Sequence, residues 1–233
     1  MKGDGEAGGA HGAQKAHGAQ KAHGAQKAHG AQKVSGSQDA GGEDGAGWEG
    51  EAGGEGRDVR TLTTGVVYED QWMRLRRDDI ERRDGSRGTY AYLDKRDYAL
   101  VIPAEHGGFH LVEEYRYPIG RRTWSFPQGG WPAGQGGSPE DLARLELSQE
   151  TGLRARVLVR LGYLHTSHGT SNQGGHYFVA SELEPGPPER EREEQDMGQA
   201  WFPRARFEQM IGEGLITDDS TLAAYALLLI SER

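Results

Sequence analysis

The sequence predicts an α+β chain, or an α/β/α sandwich, and three observations support this. Runs with strand-like alternation come first, a sharply bounded helix follows, and two helices close the chain after further strand runs. Glycine-containing turns punctuate the runs, at Asp84-Gly85, at His106-Gly107-Gly108 and from Gln128 to Gly137. The first 56 residues fit none of these patterns, so the folded domain is expected over residues 57–233.

Taken in order, Val66 to Tyr68 and Trp72 to Arg82 alternate enough to be strands, and Asp84-Gly85 is a hairpin signal. Thr89-Tyr90-Ala91-Tyr92-Leu93 follows. Tyr98-Ala99-Leu100-Val101-Ile102 is an unbroken apolar run, the mark of a buried strand. His106-Gly107-Gly108 turns the chain into Phe109 to Arg116. Trp124-Ser125-Phe126 is short and leads into a glycine loop, Gln128 to Gly137. Beyond the central helix, Ala155 to Leu164, His176 to Ala180 and Ala200-Trp201-Phe202 read as strands. Pro203 to Gly212 and Ser220 to Glu232 read as helices, the second strongly apolar on one face.

The central helix carries the most information. Ser138 is an N-cap residue, Pro139 suits the first helical position, and Glu140 and Asp141 lie near the positive end of the dipole. Gly152 stands where a helix end wants a residue that tolerates positive φ. Leu142, Leu145, Leu147 and Leu153 supply an apolar side. Glu146, Gln149 and Glu150 stand at i, i+3 and i+4, which puts them on one face with Cβ atoms about 5–6 Å apart. Such a face is either a solvated acidic stripe or a cluster of oxygen ligands.

Composition narrows the field. The chain has 233 residues, a formal net charge of -9 and no cysteine, so disulfides, thiolate metal sites and cysteine nucleophiles are excluded. The acidic balance argues against general nucleic-acid binding. No apolar run reaches the roughly 18 residues of a membrane span, and no signal-peptide core is present, so a cytoplasmic protein without membrane contact is expected. Before Arg57, four copies of AHGAQK run from Ala10 to Lys33, and Trp48 is the only aromatic residue. A segment so poor in apolar surface cannot offset its ordering entropy, so a disordered tail is expected over 1–56. His11, His17, His23 and His29 could hold a transition metal, but repeat expansion in a tolerant tail is the favoured account.

A glycine loop followed by a helix ending in Arg-Glu-(aliphatic)-x-Glu-Glu-x-Gly-(aliphatic) marks the Nudix hydrolases. This chain resembles them at Glu146, Leu147, Glu150, Gly152 and Leu153. It departs from the motif at Leu145 in place of the arginine, at Gln149 in place of the first paired glutamate, and at Gly137 in place of the loop glutamate. Tyr115-Arg116-Tyr117-Pro118, the Gly169 to Gln173 loop and the run from Trp201 to Asp218 resemble the ADP-ribose and nucleoside-diphosphate-sugar pyrophosphatases, over residues 60–230.

The resemblance implies a Nudix α/β/α sandwich with a mixed sheet. It also implies metal-assisted hydrolysis of the pyrophosphate in a nucleoside diphosphate derivative such as ADP-ribose or a nucleotide sugar. Mg²⁺ or Mn²⁺ would neutralise the anionic pyrophosphate, and both prefer oxygen ligands. Glu146 and Glu150 are then the metal ligands, and Gln149 a weak ligand or hydrogen-bonding group. Arg116 is the candidate diphosphate clamp, unless it is spent on Glu113 or Glu114. Glu194, within a charge run, is the candidate water-activating or metal-binding glutamate. Trp131 could stack on a base or cover a core edge, and His165, His168 and His176 could line the site or serve the fold. The subgroup also implies a homodimer paired through its N-terminal strands. Because Gln149 is neutral and cannot act as a base, three readings stay open: a working enzyme, a Nudix domain that binds or senses a nucleotide ligand, and a replacement that traps substrate. A scaffold serving the tail is a remote fourth. Deleting residues 1–56 should leave the thermal midpoint of the domain nearly unchanged; a loss of several degrees would show that the tail docks on it.

Overall fold

The computed structural model describes residues 58–131, 134–190 and 196–233. The tail expected over 1–56 lies outside the described residues. Two sheets and three α-helices follow in chain order.

The first sheet is an antiparallel meander of β1 (Val59–Glu69), β2 (Arg74–Arg82) and β3 (Arg87–Asp94). β1 is much longer than its short alternating stretch foretells. It is exposed along almost its whole length, so no buried face imprints a pattern on it, and its ladder with β2 defines it instead. The turn into β2 is an Asx turn, in which Asp70 Oδ1 accepts from the amides of Trp72 and Met73, each at 2.8 Å.

The second sheet has seven strands. Its centre is β4 (Tyr98–Glu105), buried on both faces from Tyr98 to Pro103, as its unbroken apolar run requires. A turn with positive φ at His106 and Gly107 reverses the chain into β5 (Gly108–Arg116). A 3₁₀ turn at Tyr117–Ile119 leads to β6 (Arg121–Ser125), which pairs with β5. Next comes β7 (Gln128–Gly130), three residues that the sequence reads as loop. Two glycines carry no side-chain alternation, and only the pairing of Gln128 to Gly130 with Leu100 to Tyr98 makes this a strand.

The helix α1 (Pro139–Thr151) follows, then β8 (Arg154–His165), β9 (Gly174–Glu184) and β10 (Gly198–Pro203), with α2 (Arg204–Gly212) and α3 (Asp219–Ser231) at the end. The strand order is β10-β5-β4-β9-β8, and β4 runs parallel to β9 while its other pairings are antiparallel, so the sheet is mixed.

Each face of this sheet has its own core. Ala99, Val101, Phe178 and Ala180 meet Leu142, Ala143 and Leu147 of α1 on one side. Leu100, Ile102, Phe109, Leu111 and Phe126 meet Phe207 and Met210 of α2 and Ala224, Tyr225 and Leu228 of α3 on the other. The result is the expected α/β/α sandwich. Buried hydroxyls dock α3: Tyr98 Oη lies 2.8 Å from Tyr177 Oη and 2.7 Å from Ser220 Oγ. Among the described residues, no helix is long and apolar enough to cross a membrane.

The two sheets are tied by the 166–173 loop. Leu93 and Asn172 exchange backbone bonds with it, Leu93 N to Thr170 O at 2.8 Å and Asn172 N to Leu93 O at 3.2 Å. Asn172 also donates to Asp94 Oδ1 at 2.7 Å, and Tyr90 Oη donates to the Gly169 carbonyl at 2.7 Å.

Candidate active site

The site rests on α1, and both ends of that helix are fastened as its sequence requires. Ser138 Oγ accepts from the Asp141 amide at 3.1 Å, and Asp141 Oδ2 accepts from the Ser138 amide at 3.3 Å, closing a capping box. At the other end Gly152 takes φ +72°, and its amide donates to the Ser148 carbonyl at 2.9 Å. A side chain at Gly152 would also meet the Gly186 carbonyl oxygen at 2.2 Å, so this position admits glycine alone.

The helix is uninterrupted, so Glu146, Gln149 and Glu150 share one face as their spacing predicts. Glu146 keeps 5% of its surface exposed and Glu150 keeps 3%, while Gln149 is half-buried. A solvated acidic stripe would not be sheltered in this way, because carboxylates almost never bury without a specific interaction. The Glu146 carboxylate lies directly against β7. A Cβ added at Gly129 would stand 2.5 Å from Glu146 Oε2 and 2.6 Å from its Cδ. Gly129 pairs with Ala99 on the face that α1 covers, so only a glycine lets the strand backbone and the helix carboxylate approach this closely. Sequence reasoning passed over Gly129 as one glycine of a loop; glycine in a strand register is the signal of close backbone approach.

One contact accounts for one of the three departures from the motif, and core packing for another. The Trp131 ring lies on Gly137, where an added Cβ would come 2.9 Å from its Cζ2 atom. Trp131 and Leu145 both pack against the α1-side core. Gly137 and Leu145 thus stand where the motif has a loop acid and a helix base; the indole lies over Gly137, and a cavity of about 490 Å³ opens between Trp131, Asp141 and Leu145. Trp131 covers a core edge.

The C-terminal end of α1 is tied down by a second segment. The Glu189 amide donates to the Gln149 carbonyl at 3.0 Å, and Arg190 Nε donates to the Glu150 carbonyl at 3.1 Å. Arg190 also donates through Nη1 to the carbonyl of Met197, so one guanidinium joins the last turn of α1 to both sides of the 191–195 segment. Arg190 sits in a charge run that carries no periodicity, and nothing in the sequence marks it. Glu194 lies outside the described residues.

Arg116 ends β5, and its Nη2 lies 2.6 Å from Glu114 Oε1. Burial pushes the Glu114 carboxyl above its ordinary range; Arg116 opposes this, and Asp196 and Asp218 reinforce it. The neighbouring Arg122 is committed to Glu113 and Asp196, with bonds of 3.0 Å and 2.8 Å. Gln128 Nε2 donates to Asp218 Oδ2 at 3.0 Å, which joins β7 to the N-cap of α3.

The histidines stand apart from this cluster. His168 belongs to the 166–173 loop and lines a cavity of about 390 Å³ beside the first sheet. His165 meets the edge of Tyr163 with centroids 5.2 Å apart. His176 Nε2 is 3.5 Å from Asp97 Oδ2, and burial holds its pKa below the usual histidine value, against the pull of Asp97. His176 and Gly129 flank Ala99 on opposite sides of β4, about 10 Å apart by two strand spacings.

Among the described residues, no three acid, histidine or cysteine side chains are grouped to hold a metal on their own. The donors that do converge suit a hard divalent cation: two buried carboxylates one helical turn apart, with strand backbone pressed against one of them.

Comparison with known proteins places this chain in a family. Residues 94–223 match the NUDIX domain, and residues 59–93, which are the first sheet, match the nucleoside diphosphate sugar hydrolase N-terminal domain. The chain belongs to the Nudix hydrolases. Among its relatives is an ADP-ribose pyrophosphatase of Mycobacterium tuberculosis, 32% identical over 165 residues that cover 70% of this chain and 77% of that protein. Another is an ADP-ribose pyrophosphatase of Bacillus subtilis, 27% identical over 59% of this chain and 74% of the relative. A solved structure of an ADP compounds hydrolase shares the fold with a TM-score of 0.65 at 20% identity, covering 76% of this chain and 94% of that one.

Gly129→Ala tests the packing of the site. The obstructed atoms are the end of a flexible side chain, so the fold should survive with a nearly unchanged midpoint while the Glu146 carboxylate is displaced. A displacement of about 1 Å at a reacting centre can cost up to roughly a hundredfold in rate, so hydrolysis of a nucleoside diphosphate derivative should fall at least about tenfold. Wild-type turnover in this variant would refute the role given to that contact.

Proposed function

We propose that this chain hydrolyses the phosphoanhydride of a nucleoside diphosphate derivative such as ADP-ribose or a nucleotide sugar, with Mg²⁺ or Mn²⁺ as cofactor. The observation that carries this reading is the burial of Glu146 and Glu150 on one face of α1, with Gly129 set against the Glu146 carboxylate. The ADP-ribose pyrophosphatases among its relatives support the substrate class.

In this reading Glu146 and Glu150 would hold the metal, which supplies positive charge at the diphosphate and lowers the pKa of an attacking water. Gln149 presents an uncharged carbonyl oxygen beside them and can ligate or orient, but it cannot take a proton. Arg116 offers guanidinium N–H donors to phosphate oxygens, a geometry suited to that group. Glu194 accepts the proton of the water as its oxygen bonds to phosphorus. The bridging P–O bond breaks, and two monophosphates leave. Arg190 contributes by fixing the last turn of α1, and with it the spacing of Glu150 from the neighbouring segment.

One observation favours the alternative, a Nudix domain that binds a nucleotide ligand without turning it over: Gln149 removes one carboxylate from the helix face.

A panel of nucleoside diphosphate derivatives with Mg²⁺ and then Mn²⁺ tests the enzyme directly, with release of monophosphates as the readout. Gln149→Glu should tighten Mg²⁺ binding and raise turnover, because the helix already aims that side chain at the cluster. Glu150→Gln leaves a single carboxylate and should lower metal affinity and rate by roughly tenfold or more, since even residues behind a metal ligand cost about 10–100-fold when changed. Equal rates in wild type and both variants would sink the claim that this helix carries the chemistry.

We also infer a homodimer paired through the first sheet. Val66, Val67 and Tyr68 of β1, together with Trp72 and Tyr90, are exposed large side chains on a meander whose strand edges need covering. Light scattering of the full chain at micromolar concentration should give twice the chain mass; the mass of one chain would overturn the inference.

A further inference from the structure

The reading above uses Arg116 and leaves Glu114 without a task. The strand assigns both to the same face. Phe109 and Leu111 point into the core beneath α2 and α3, and Trp124, which pairs with Glu113, packs against that core as well. Alternation along β5 turns Val112, Glu114 and Arg116 the other way, toward the side of the sheet that α1 covers.

The pair is asymmetric. The Glu114 side chain keeps 19% of its surface exposed and that of Arg116 keeps 41%, across a contact of 2.6 Å between Oε1 and Nη2. The acid is therefore the sheltered member, held by the sheet, and the guanidinium is the outer one. Among the described residues, the other two arginines at this end of the β5–β6 hairpin are spent elsewhere. Arg122 bonds to the side chain and carbonyl of both Glu113 and Asp196, and Arg121 donates to Thr217 Oγ1 at 2.7 Å. Among the described residues, Arg116 has one ion pair, through one nitrogen. Five N–H donors belong to a guanidinium, so anchoring one edge leaves the rest of the fork to face a ligand.

We propose that Glu114 is a positioning residue for the diphosphate. Its carboxylate holds the Arg116 guanidinium in one orientation before the ligand arrives, so that the remaining donors meet the phosphate oxygens without first giving up rotamer freedom. This rests on the diphosphate reading of the site. A bare acid beside an anion would repel it; tethered to Arg116, it serves the cation instead.

Calorimetric titration of the full chain with inorganic pyrophosphate and Mg²⁺ tests the proposal without relying on turnover. Arg116→Ala should weaken binding most. Glu114→Ala should weaken it about tenfold, in the range of a lost hydrogen bond to a charged group, and Glu114→Gln, which keeps an acceptor oxygen toward Arg116, by less. In the Arg116→Ala background, Glu114→Ala should add nothing, since there is no guanidinium left to orient. With a substrate that is turned over, Glu114→Ala should raise KM and leave kcat within about twofold, the pattern of lost binding common to ground and transition states. Glu114→Gln is the control should the alanine variant fail to fold.

Unchanged or tighter binding in Glu114→Ala would overturn the proposal, as would additive losses in the double variant or a wild type that does not bind pyrophosphate. Binding without hydrolysis of any nucleoside diphosphate derivative would overturn the enzymatic reading and leave this measurement standing.

Discussion

Two carboxylates buried one helical turn apart are the demand around which the rest of the structure is arranged. Charge taken out of water is costly, and the cost is offset only where geometry is held closely. The capping box at Ser138 and the left-handed Gly152 hold α1 at both ends. The central strand β4, buried on both faces, provides the fixed surface against which α1 packs. β7 adds a strand without side chains at Gly129, so the Glu146 carboxylate can lie on the backbone. Arg190 and Glu189 tie the last turn to the segment on its far side.

The departures from the family motif divide into two kinds. Gly137 is explained by Trp131, whose ring needs the missing Cβ there, and Leu145 by its packing against the α1-side core. That is substitution by packing, and it leaves the geometry of α1 intact. Gln149 is different in kind. It is half-buried on the face it shares with Glu146 and Glu150, it is nearly the shape of glutamate, and it changes charge alone. In the proposed function the chemistry turns on electrostatics at this one side chain, within a helix whose ends are both capped.

The candidate polar groups also sort by what they touch. His168 serves the loop that ties the two sheets, His176 pairs with Asp97, and His165 packs on Tyr163. Arg122 is taken up by Glu113 and Asp196, and Gln128 by the N-cap of α3. Among the described candidates, Arg116 is left near the edge of the sheet, with the more buried Glu114 beside it.

Much of this was legible before any tertiary structure. The buried run at Tyr98 to Ile102, the boundaries of α1 and the shared face of Glu146, Gln149 and Glu150 all follow from local rules, because periodicity and end signals act within a few residues. The limits of that legibility are physical. β7 and most of β1 are strands because of what they pair with, and glycine or fully exposed residues leave no pattern of their own. The approach of Gly129 to Glu146, the indole over Gly137, the clamp by Arg190 and the choice of Glu114 over Glu113 by Arg116 join residues distant in the chain or facing opposite sides of a strand. The sequence by itself determined which residues could carry the chemistry. Only the tertiary structure decided which of them are buried together, because burial and contact depend on how helix and strands are laid over one another.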